Sequence, residues 1–133
     1  MNLKREFQSA KELMEKNIVF IDGLTTAKEA VEIMREKNVE SLIIKKRNDQ
    51  DAYGIVAIQD LIRGVIIPER ASEDVNVFEI MTKPIISIPA SMDIRYVARL
   101  LIQVDLWGAP VEENGEYVGM ISLSRIILNN KLL

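Results

Sequence analysis

The chain contains neither cysteine nor histidine. It therefore forms no disulfide bond, and it lacks the cysteine and Ser-His-Asp nucleophile systems. The same absence excludes every zinc, iron or copper site that is built on imidazole or thiolate ligands. The phosphate-binding motifs GxxxxGK[ST] and GxGxxG are also missing, because the 6 glycines are scattered along the chain. These absences exclude many classes of enzyme.

Long apolar runs and an excess of positive charge are missing as well. No run approaches the ~18 residues of a membrane span, and the opening residues, MNLKREFQSAKEL, lack the apolar centre of a secretory signal. We therefore expect a cytoplasmic protein with no membrane partner. The net charge of −3 argues against a nucleic-acid partner, which would need a basic surface. The only basic run, Lys45-Lys46-Arg47, is followed by Asp49 and Asp51, and we interpret it as a solvated hairpin loop.

The chain does contain an internal repeat. Residues 14–21 align with residues 81–88, and the same offset brings Thr26 onto Asp93. Further along, Gly54-Ile55-Val56 aligns with Gly119-Met120-Ile121. Because several segments match in the same order, we infer that the chain is a duplication.

Each copy predicts the same series of elements. Strands are expected at 18–21, 42–45 and 53–58, and at 85–88, 109–111 and 117–123. Helices are expected at 27–37 and 61–67, and at 94–105 and 126–132. A short helix leads into each copy, at the capping box Ser9-Ala10-Lys11-Glu12 and at 77–81.

One copy alone buries too little apolar surface to be stable, so the two copies should pack together. The sequence thus predicts an α+β fold of tandem β-α-β-β-α repeats packed as a pseudo-twofold pair. The first repeat with its lead-in helix is expected at 1–68, a charged linker at 69–76, and the second repeat at 77–133.

This pattern resembles a pair of CBS domains, the repeat first described in cystathionine β-synthase. The resemblance covers residues 9–132. It is carried by the opener Met81-Thr82-Lys83-Pro84, the capped helix after Thr26 and the stretch Gly108-Ala109-Pro110-Val111. The most specific carriers are the closing motifs GIVAIQD and GMISLSR, which are similar to the family's G-h-h-[ST]-x-x-D, where h is apolar.

The resemblance implies two clefts between the repeats that bind adenosine-containing ligands such as AMP, ADP, ATP or S-adenosylmethionine. The motif aspartate would accept hydrogen bonds from both ribose hydroxyls, a role that suits an acceptor-only carboxylate. Apolar strand residues would hold the adenine. Such a ligand would be regulatory, and no catalytic cofactor or metal is expected.

In the first cleft the resemblance implies Asp60 as the ribose acceptor, with Ile55 and Gln59 on the wall. Ala57 stands where the family prefers Ser or Thr, so one hydroxyl contact is missing there, and Ser87 would compensate in part. The second repeat would complete this cleft with Thr82, Ile86, Ser87, Ile88, Trp107, Gly108, Ala109 and Pro110.

The second cleft has Ser122 but carries Arg125 in place of the aspartate. Arginine has no acceptor, so it cannot receive ribose hydroxyls. This cleft is expected to be empty, filled by Arg125 itself, or used for an anion. Its other residues would be Val19, Phe20, Ile21, Glu40 and Ser41.

We therefore expect a stand-alone, non-enzymatic regulatory module that signals to an unidentified protein partner and forms a homodimer. The alternative is a structural or interaction protein with degenerate clefts, which Ala57 and Arg125 favour. A carboxylate enzyme is a third class, but Asp60, Glu40 and Asp22 form no obvious acid/base pair. Asp60 is also a suitable helix N-cap, so capping alone is open for it.

Overall fold

The computed structural model describes residues 7–133. Residues 1–6, which belong to the stretch that lacks a secretory-signal pattern, lie outside the described residues. In chain order the helices and strands are α1 (Ala10–Leu13), β1 (Phe20–Ile21), α2 (Ala27–Lys37), β2 (Ser41–Ile44), β3 (Gly54–Ala57), α3 (Ile58–Leu61), β4 (Ile88–Pro89), α4 (Ile94–Gln103), β5 (Gly108–Glu113), β6 (Glu116–Ser122) and α5 (Leu123–Asn129). A π-helical turn, Ile62–Ile66, continues α3, and 3₁₀ turns cover Ser72–Asp74 and Val77–Glu79. The chain is thus α+β, with helices and strands in the predicted order.

The chain forms two compact units. The first unit is Asn17–Ile85, and the second unit combines the described residues up to Lys16 with Ile86–Leu133. Each unit therefore contains the strands of one repeat and the lead-in segment of the other. The repeat boundaries at residues 68 and 77 remain a prediction about the sequence.

Each unit has a three-stranded sheet, ordered β1-β2-β3 in the first and β4-β5-β6 in the second. In both sheets the opening strand runs parallel to the middle strand, and the third strand is antiparallel to it. Both opening strands have only two residues: Phe20–Ile21 lies within the expected 18–21, whereas Ile88–Pro89 overlaps the expected 85–88 at Ile88 alone. β2 and β3 are buried along their whole length, as their unbroken apolar pattern predicts.

The helices begin where the sequence places their caps. Thr26 accepts a hydrogen bond from the Glu29 amide at 3.1 Å, and Ser9 accepts one from the Glu12 amide at 3.3 Å. Both capping boxes are complete. Each satisfies amide groups that would otherwise lack a partner at the first turn.

The closing helices differ from the expected 61–67 and 126–132. The first starts at Ile58 and changes to a π-helical turn, in which the Ile67 amide bonds to the Ile62 carbonyl at 2.9 Å. The second starts at Leu123 and ends at Asn129, where the side-chain amide of Asn130 donates a hydrogen bond to the Ile126 carbonyl at 2.8 Å. The spacing of apolar residues predicts neither the π-helical turn nor the side-chain bond at Asn130.

Each unit has its own apolar core. In the first unit one face of the sheet, with Leu42, Ile44 and Val56, packs on Ala30 and Met34 of α2. In the second unit the corresponding core contains Ile88, Ala109, Val111 and Ile121 of the sheet and Ile94, Val97 and Leu101 of α4. No helix in residues 7–133 is long and apolar enough to cross a membrane.

Candidate functional site

Asp60 is the third residue of α3, which follows strand β3 directly. The N-cap of α3 is Ala57, so Asp60 is not the N-cap that the sequence suggests but has the place of the acidic partner in a capping box. Its Oδ2 accepts a hydrogen bond from the Ala57 amide at 2.8 Å, and its Oδ1 accepts one from the Thr82 hydroxyl at 3.3 Å. The side chain is half-buried. Burial raises the pKa of Asp60, while the bonds from Ala57 and Thr82 and the charge of Arg63 oppose that rise. A carboxylate offers about four acceptor positions, so these two bonds leave room for two more donors.

Thr82 reaches Asp60 because its backbone runs beside β3. The Ile55 amide bonds to the Thr82 carbonyl at 2.9 Å, and the Thr82 amide bonds to the Ile55 carbonyl at 2.8 Å. Gly54 favours this approach, since a Cβ there would lie 3.3 Å from the Thr82 carbonyl oxygen and would also displace the Met81 side chain. We refer to Ile55, Ala57, Asp60 and Thr82 as the Asp60 cluster.

The Asp60 cluster has apolar and polar parts. Ile55 and Ala57 are buried, and Gln59 is half-buried beside them. Ala57, at the motif position where the family prefers Ser or Thr, has no hydroxyl group to contribute. Thr82 does supply a hydroxyl group, which contacts the Asp60 carboxylate. It comes from a distant part of the chain and not from the motif position three residues before Asp60.

The second unit repeats this backbone arrangement around Arg125. The Glu15 amide bonds to the Met120 carbonyl at 2.7 Å, and the Met120 amide bonds to the Glu15 carbonyl at 2.8 Å. Gly119 permits the approach, because a Cβ there would lie 2.7 Å from the Glu15 carbonyl oxygen. Glu15 thus occupies the place that Thr82 has in the first unit.

The Arg125 side chain is bonded within its own unit. Its Nε donates to the Leu13 carbonyl at 2.8 Å, and its Nη1 lies 3.8 Å from Glu15 Oε2. Ser122 caps α5 by accepting a hydrogen bond from the Arg125 amide at 3.1 Å. We refer to Leu13, Glu15, Ser122 and Arg125 as the Arg125 cluster.

The other residues predicted for the first cleft belong to the second unit. Ser87 donates its hydroxyl proton to Glu112 Oε2 at 2.8 Å, Ile86 is exposed and Trp107 is half-buried. Ile88 and the start of β5 are buried in the sheet, where Gly108, Ala109 and Pro110 pair with Ser122, Ile121 and Met120. The structure therefore groups Asp60, Ile55, Ala57, Gln59 and Thr82 in one unit and the remaining seven residues in the other.

The residues predicted to complete the second cleft lie in the first unit. Ile21 and Ser41 are buried, Val19 is half-buried and Glu40 is exposed. The Phe20 ring centroid is 6.0 Å from that of Tyr53. Ser122 and Arg125 of the same predicted cleft lie in the second unit.

One functional neighbour was not identified from the sequence. Glu15 approaches Arg125, although the repeat alignment already placed Glu15 opposite Thr82 and Arg125 opposite Asp60. Because both aligned positions change from one repeat to the other, Asp60 to Arg125 and Thr82 to Glu15, the sequence does contain a signal for the Arg125–Glu15 pair. In the described part of the chain no group of three or more acidic residues could hold a metal ion.

Two duplicated units, each with a G-h-h-x-x-x-[D/R] motif at the end of its sheet, define the chain as a tandem-repeat protein. The chain belongs to the CBS domain family, whose sequence pattern matches residues 10–66 and 77–129. It is similar to the hexameric CBS-CP12 protein from bloom-forming cyanobacteria, with 35% identity and a TM-score of 0.88 over 93% of this chain and 72% of that one.

Two further relatives widen the comparison. The mitochondrial CBS domain-containing protein CBSX3 of Arabidopsis thaliana is 27% identical over 105 residues, which are 77% of this chain and 51% of that protein. This chain spans only 51% to 61% of the length of the curated relatives it matches. A CBS domain pair solved with 5′-methylthioadenosine and S-adenosyl-L-methionine shares the fold alone, at 19% identity and a TM-score of 0.74 over 92% of this chain and 94% of that one.

Proposed function

We propose that this chain is a regulatory module in which Asp60 binds the ribose of an adenosine-containing ligand. The ligand class is AMP, ADP, ATP or an S-adenosyl compound. The observation that carries the proposal is the Asp60–Thr82 pair, in which a half-buried carboxylate is held at 3.3 Å from a hydroxyl group.

The chemistry of the Asp60 cluster suits a sugar with two neighbouring hydroxyls. The Ala57 and Thr82 donors fix the orientation of the carboxylate and use only part of its acceptor capacity. Partial burial strengthens the hydrogen bonds that it makes with a ligand. The Thr82 hydroxyl donates a hydrogen bond to Asp60, and its oxygen can itself accept a hydrogen bond from a ligand hydroxyl.

Signalling follows from the position of Thr82. The residue belongs to the lead-in segment of the second repeat in the sequence, but it pairs with Ile55 of the first unit. A ligand bound to both Asp60 and Thr82 stabilises the state in which this segment lies on β3, by no more than its difference in affinity for the two states. A partner protein would respond to that state.

Several finer features belong to the same proposal. The module is non-catalytic and acts in the cytoplasm. It forms a homodimer through exposed apolar residues of the closing helices, Ile62, Ile66, Ile127 and Leu128. The adenosyl compounds bound to the CBS pair of shared fold support the class of ligand.

The second candidate function is an interaction protein that binds no nucleotide. It is favoured by the Arg125 cluster, where the guanidinium is already bonded to the Leu13 carbonyl. It would also require that Asp60 acts only as the capping partner of Ala57. Titration of the wild-type chain distinguishes the two, because an interaction protein shows no saturable binding of any adenosine compound.

The test is isothermal titration of the full chain with AMP, ATP and S-adenosylmethionine. Asp60→Ala should weaken binding by at least about 100-fold, since two hydrogen bonds to a charged group are lost. Asp93→Ala is the matched control, because it also removes an acidic helix cap but lies in the other unit. We expect it to change the affinity by less than about twofold. Equal affinities of the wild type and Asp60→Ala would overturn the assignment.

A second titration examines the ribose contact itself. If Asp60 accepts bonds from both hydroxyls, the 2′-deoxy form of the bound nucleotide should bind at least about tenfold more weakly. In Asp60→Ala the two forms should bind alike. Equal binding of both forms to the wild type would contradict a ribose role for Asp60.

A further inference from the structure

A cavity of about 490 Å³ opens in the first unit, at the end of strands β1 and β2. Its apolar wall is formed by Leu24, Ile44, Phe78 and Met81. Four cations also line it: Lys45, Lys46, Arg47 and Lys83. We refer to it as the basic cavity. The basic run Lys45-Lys46-Arg47 thus shares the lining with a fourth cation, Lys83, from a distant part of the chain.

Two of these cations are held in place by Asp51. Lys83 Nζ lies 2.6 Å from Asp51 Oδ1, and Arg47 Nε lies 3.1 Å from Asp51 Oδ2. Only 6% of the Asp51 side chain is exposed, so this carboxylate is a fixed anchor behind the cations. The bonds from Arg47 and Lys83 hold the pKa of Asp51 well below its usual range.

A third cation is placed by an aromatic ring. Lys46 Nζ lies over the Tyr53 ring, 5.0 Å from its centroid. Such a contact orients the ammonium group without neutralising its charge. Lys46, Arg47 and Lys83 therefore enter the site with part of their conformational freedom already lost, which lowers the cost of binding an anion.

The charges around the basic cavity do not cancel. Asp22 is the acidic residue in its lining, and its Oδ1 already accepts a hydrogen bond from the Leu24 amide at 2.7 Å. Counting Asp51 as well, four cations face two carboxylates. The local excess of positive charge stands in a chain whose net charge is −3, and it favours an anion of two charges.

The basic cavity is separate from the Asp60 cluster. Ile44 belongs to the core face of the first sheet, whereas Ile55 is the register partner of Ile43, which points to the other face. The extended segment at 81–83 alternates in the same way: Met81 and Lys83 line the basic cavity, and the Thr82 hydroxyl bonds to Asp60.

We propose that the basic cavity binds an organic phosphate, a phosphate monoester of a small apolar or aromatic group. Lys45 and Lys46 contact the phosphate oxygens, with Arg47 and Lys83 contributing charge. The organic part lies against Leu24, Ile44, Phe78 and Met81. The volume falls within the range of about 300–1,000 Å³ that is typical of small-molecule sites.

The test uses phenyl phosphate, inorganic phosphate and phenol as probes, titrated into the full chain and followed by amide chemical shifts. Phenyl phosphate should bind saturably, with shifts centred on Gly23, Leu24 and Lys45, and more tightly than inorganic phosphate or phenol. The double variant Lys45→Gln/Lys46→Gln should weaken this binding at least about tenfold. Arg47 and Lys83 are left intact, because their removal would strand the buried Asp51.

The matched control is Lys16→Gln/Lys131→Gln, which removes the same charge from two exposed lysines of the second unit. It should leave the affinity within about twofold of the wild type. Asp60→Ala should do the same, because the Asp60 cluster is separate. Unsaturable binding, equal weakening by both lysine pairs, or shifts centred outside the basic cavity would each overturn the proposal. Equal affinity for phenyl phosphate and inorganic phosphate would overturn its apolar part.

Discussion

The Asp60 cluster of the first unit and the Arg125 cluster of the second unit share one backbone arrangement. In each, an extended lead-in segment pairs with the third strand of the sheet through two hydrogen bonds, Thr82 with Ile55 and Glu15 with Met120. In each, a glycine of that strand lets the segment approach. The side chains at the two corresponding positions are different. Asp60 faces a neutral hydroxyl, whereas Arg125 faces a carboxylate and a backbone carbonyl.

This difference leaves the two clusters with different numbers of unused hydrogen-bonding positions. The Thr82 hydroxyl uses one of the acceptor positions of Asp60 and leaves others for a ligand. The Arg125 Nε is already used by the Leu13 carbonyl, and its Nη1 lies near Glu15. The Asp60/Arg125 and Thr82/Glu15 differences are therefore one paired difference, in which the second cluster has internal contacts where the first leaves acceptor positions unused.

The largest expected effect comes from removing that paired difference. Glu15→Thr/Arg125→Asp should give the second cluster the chemistry of the first and raise the number of bound nucleotides per chain in a calorimetric titration. Arg125→Asp alone should do less, because the new carboxylate would face Glu15 and like charges repel. An unchanged stoichiometry in a folded double variant would show that these two positions do not distinguish the clusters.

The closing helices provide the next comparison. Gly64 follows Asp60 by four positions, as Asn129 follows Arg125, but only Gly64 lies in a π-helical turn. A Cβ on Gly64 would lie 2.4 Å from Ile80 Cγ2. Gly64→Ala should therefore lower the free energy of unfolding by about 1–3 kcal/mol, as overpacked cores do. Asn129→Ala, at an exposed position, is the control and should stay within about 0.5 kcal/mol.

Urea denaturation measures both variants, and Ile80→Ala identifies the cause. If the contact with Ile80 is responsible, the cost of Gly64→Ala should be smaller when Ile80 is already alanine. An additive double variant would instead attribute the cost to the backbone of the π-helical turn.

The local features of this fold were predictable from the sequence. The capping boxes at Ser9 and Thr26 depend on side chains three residues apart, so a short stretch of sequence determines them. The start of α2 follows for the same reason. Buried strands β2 and β3 follow from their apolar runs. In the Asp60 cluster, the spacing within GIVAIQD placed Asp60 directly after a buried strand.

The features that sequence reasoning missed depend on distant partners. No local pattern states that the segment at 9–16 joins the unit of the second repeat. The main partner of Arg125 is the backbone carbonyl of Leu13, which has no residue-specific signal. Ile80 lies close against Gly64 of the π-helical turn, and Lys83, which lines the basic cavity, pairs with Asp51; no local pattern indicates either contact.

A smaller effect separates Asp60 from Asp93 through pH. Burial raises the pKa of Asp60, so its contribution to stability is complete below its ordinary pKa of 3.8 and is lost as the pH rises through the raised value. Hydrogen bonds from Arg95 lower the pKa of Asp93, so its contribution is present above 3.8 and is lost as the pH falls through the lowered value.

Asp60→Asn and Asp93→Asn measure this contrast by urea denaturation between about pH 3 and about pH 6. With rising pH, the stability of the wild type relative to Asp60→Asn should fall, whereas that relative to Asp93→Asn should rise. Nucleotide affinity of the wild type should increase over the same range as Asp60 ionises. Parallel trends for the two variants would contradict the opposite environments of these carboxylates.

The smallest effect is expected for the ion pair of the Arg125 cluster. Arg125 Nη1 and Glu15 Oε2 are 3.8 Å apart, and 37% and 49% of these side chains are exposed. Solvent screens such a pair, so a double-mutant cycle with Arg125→Ala and Glu15→Ala should give a coupling of about 0.5 kcal/mol or less. Arg125→Ala alone should cost more than Glu15→Ala, because it also removes the donor to the Leu13 carbonyl. If the coupling energy were as large as the whole cost of Arg125→Ala, then Glu15, rather than the backbone carbonyl of Leu13, would hold the guanidinium in place.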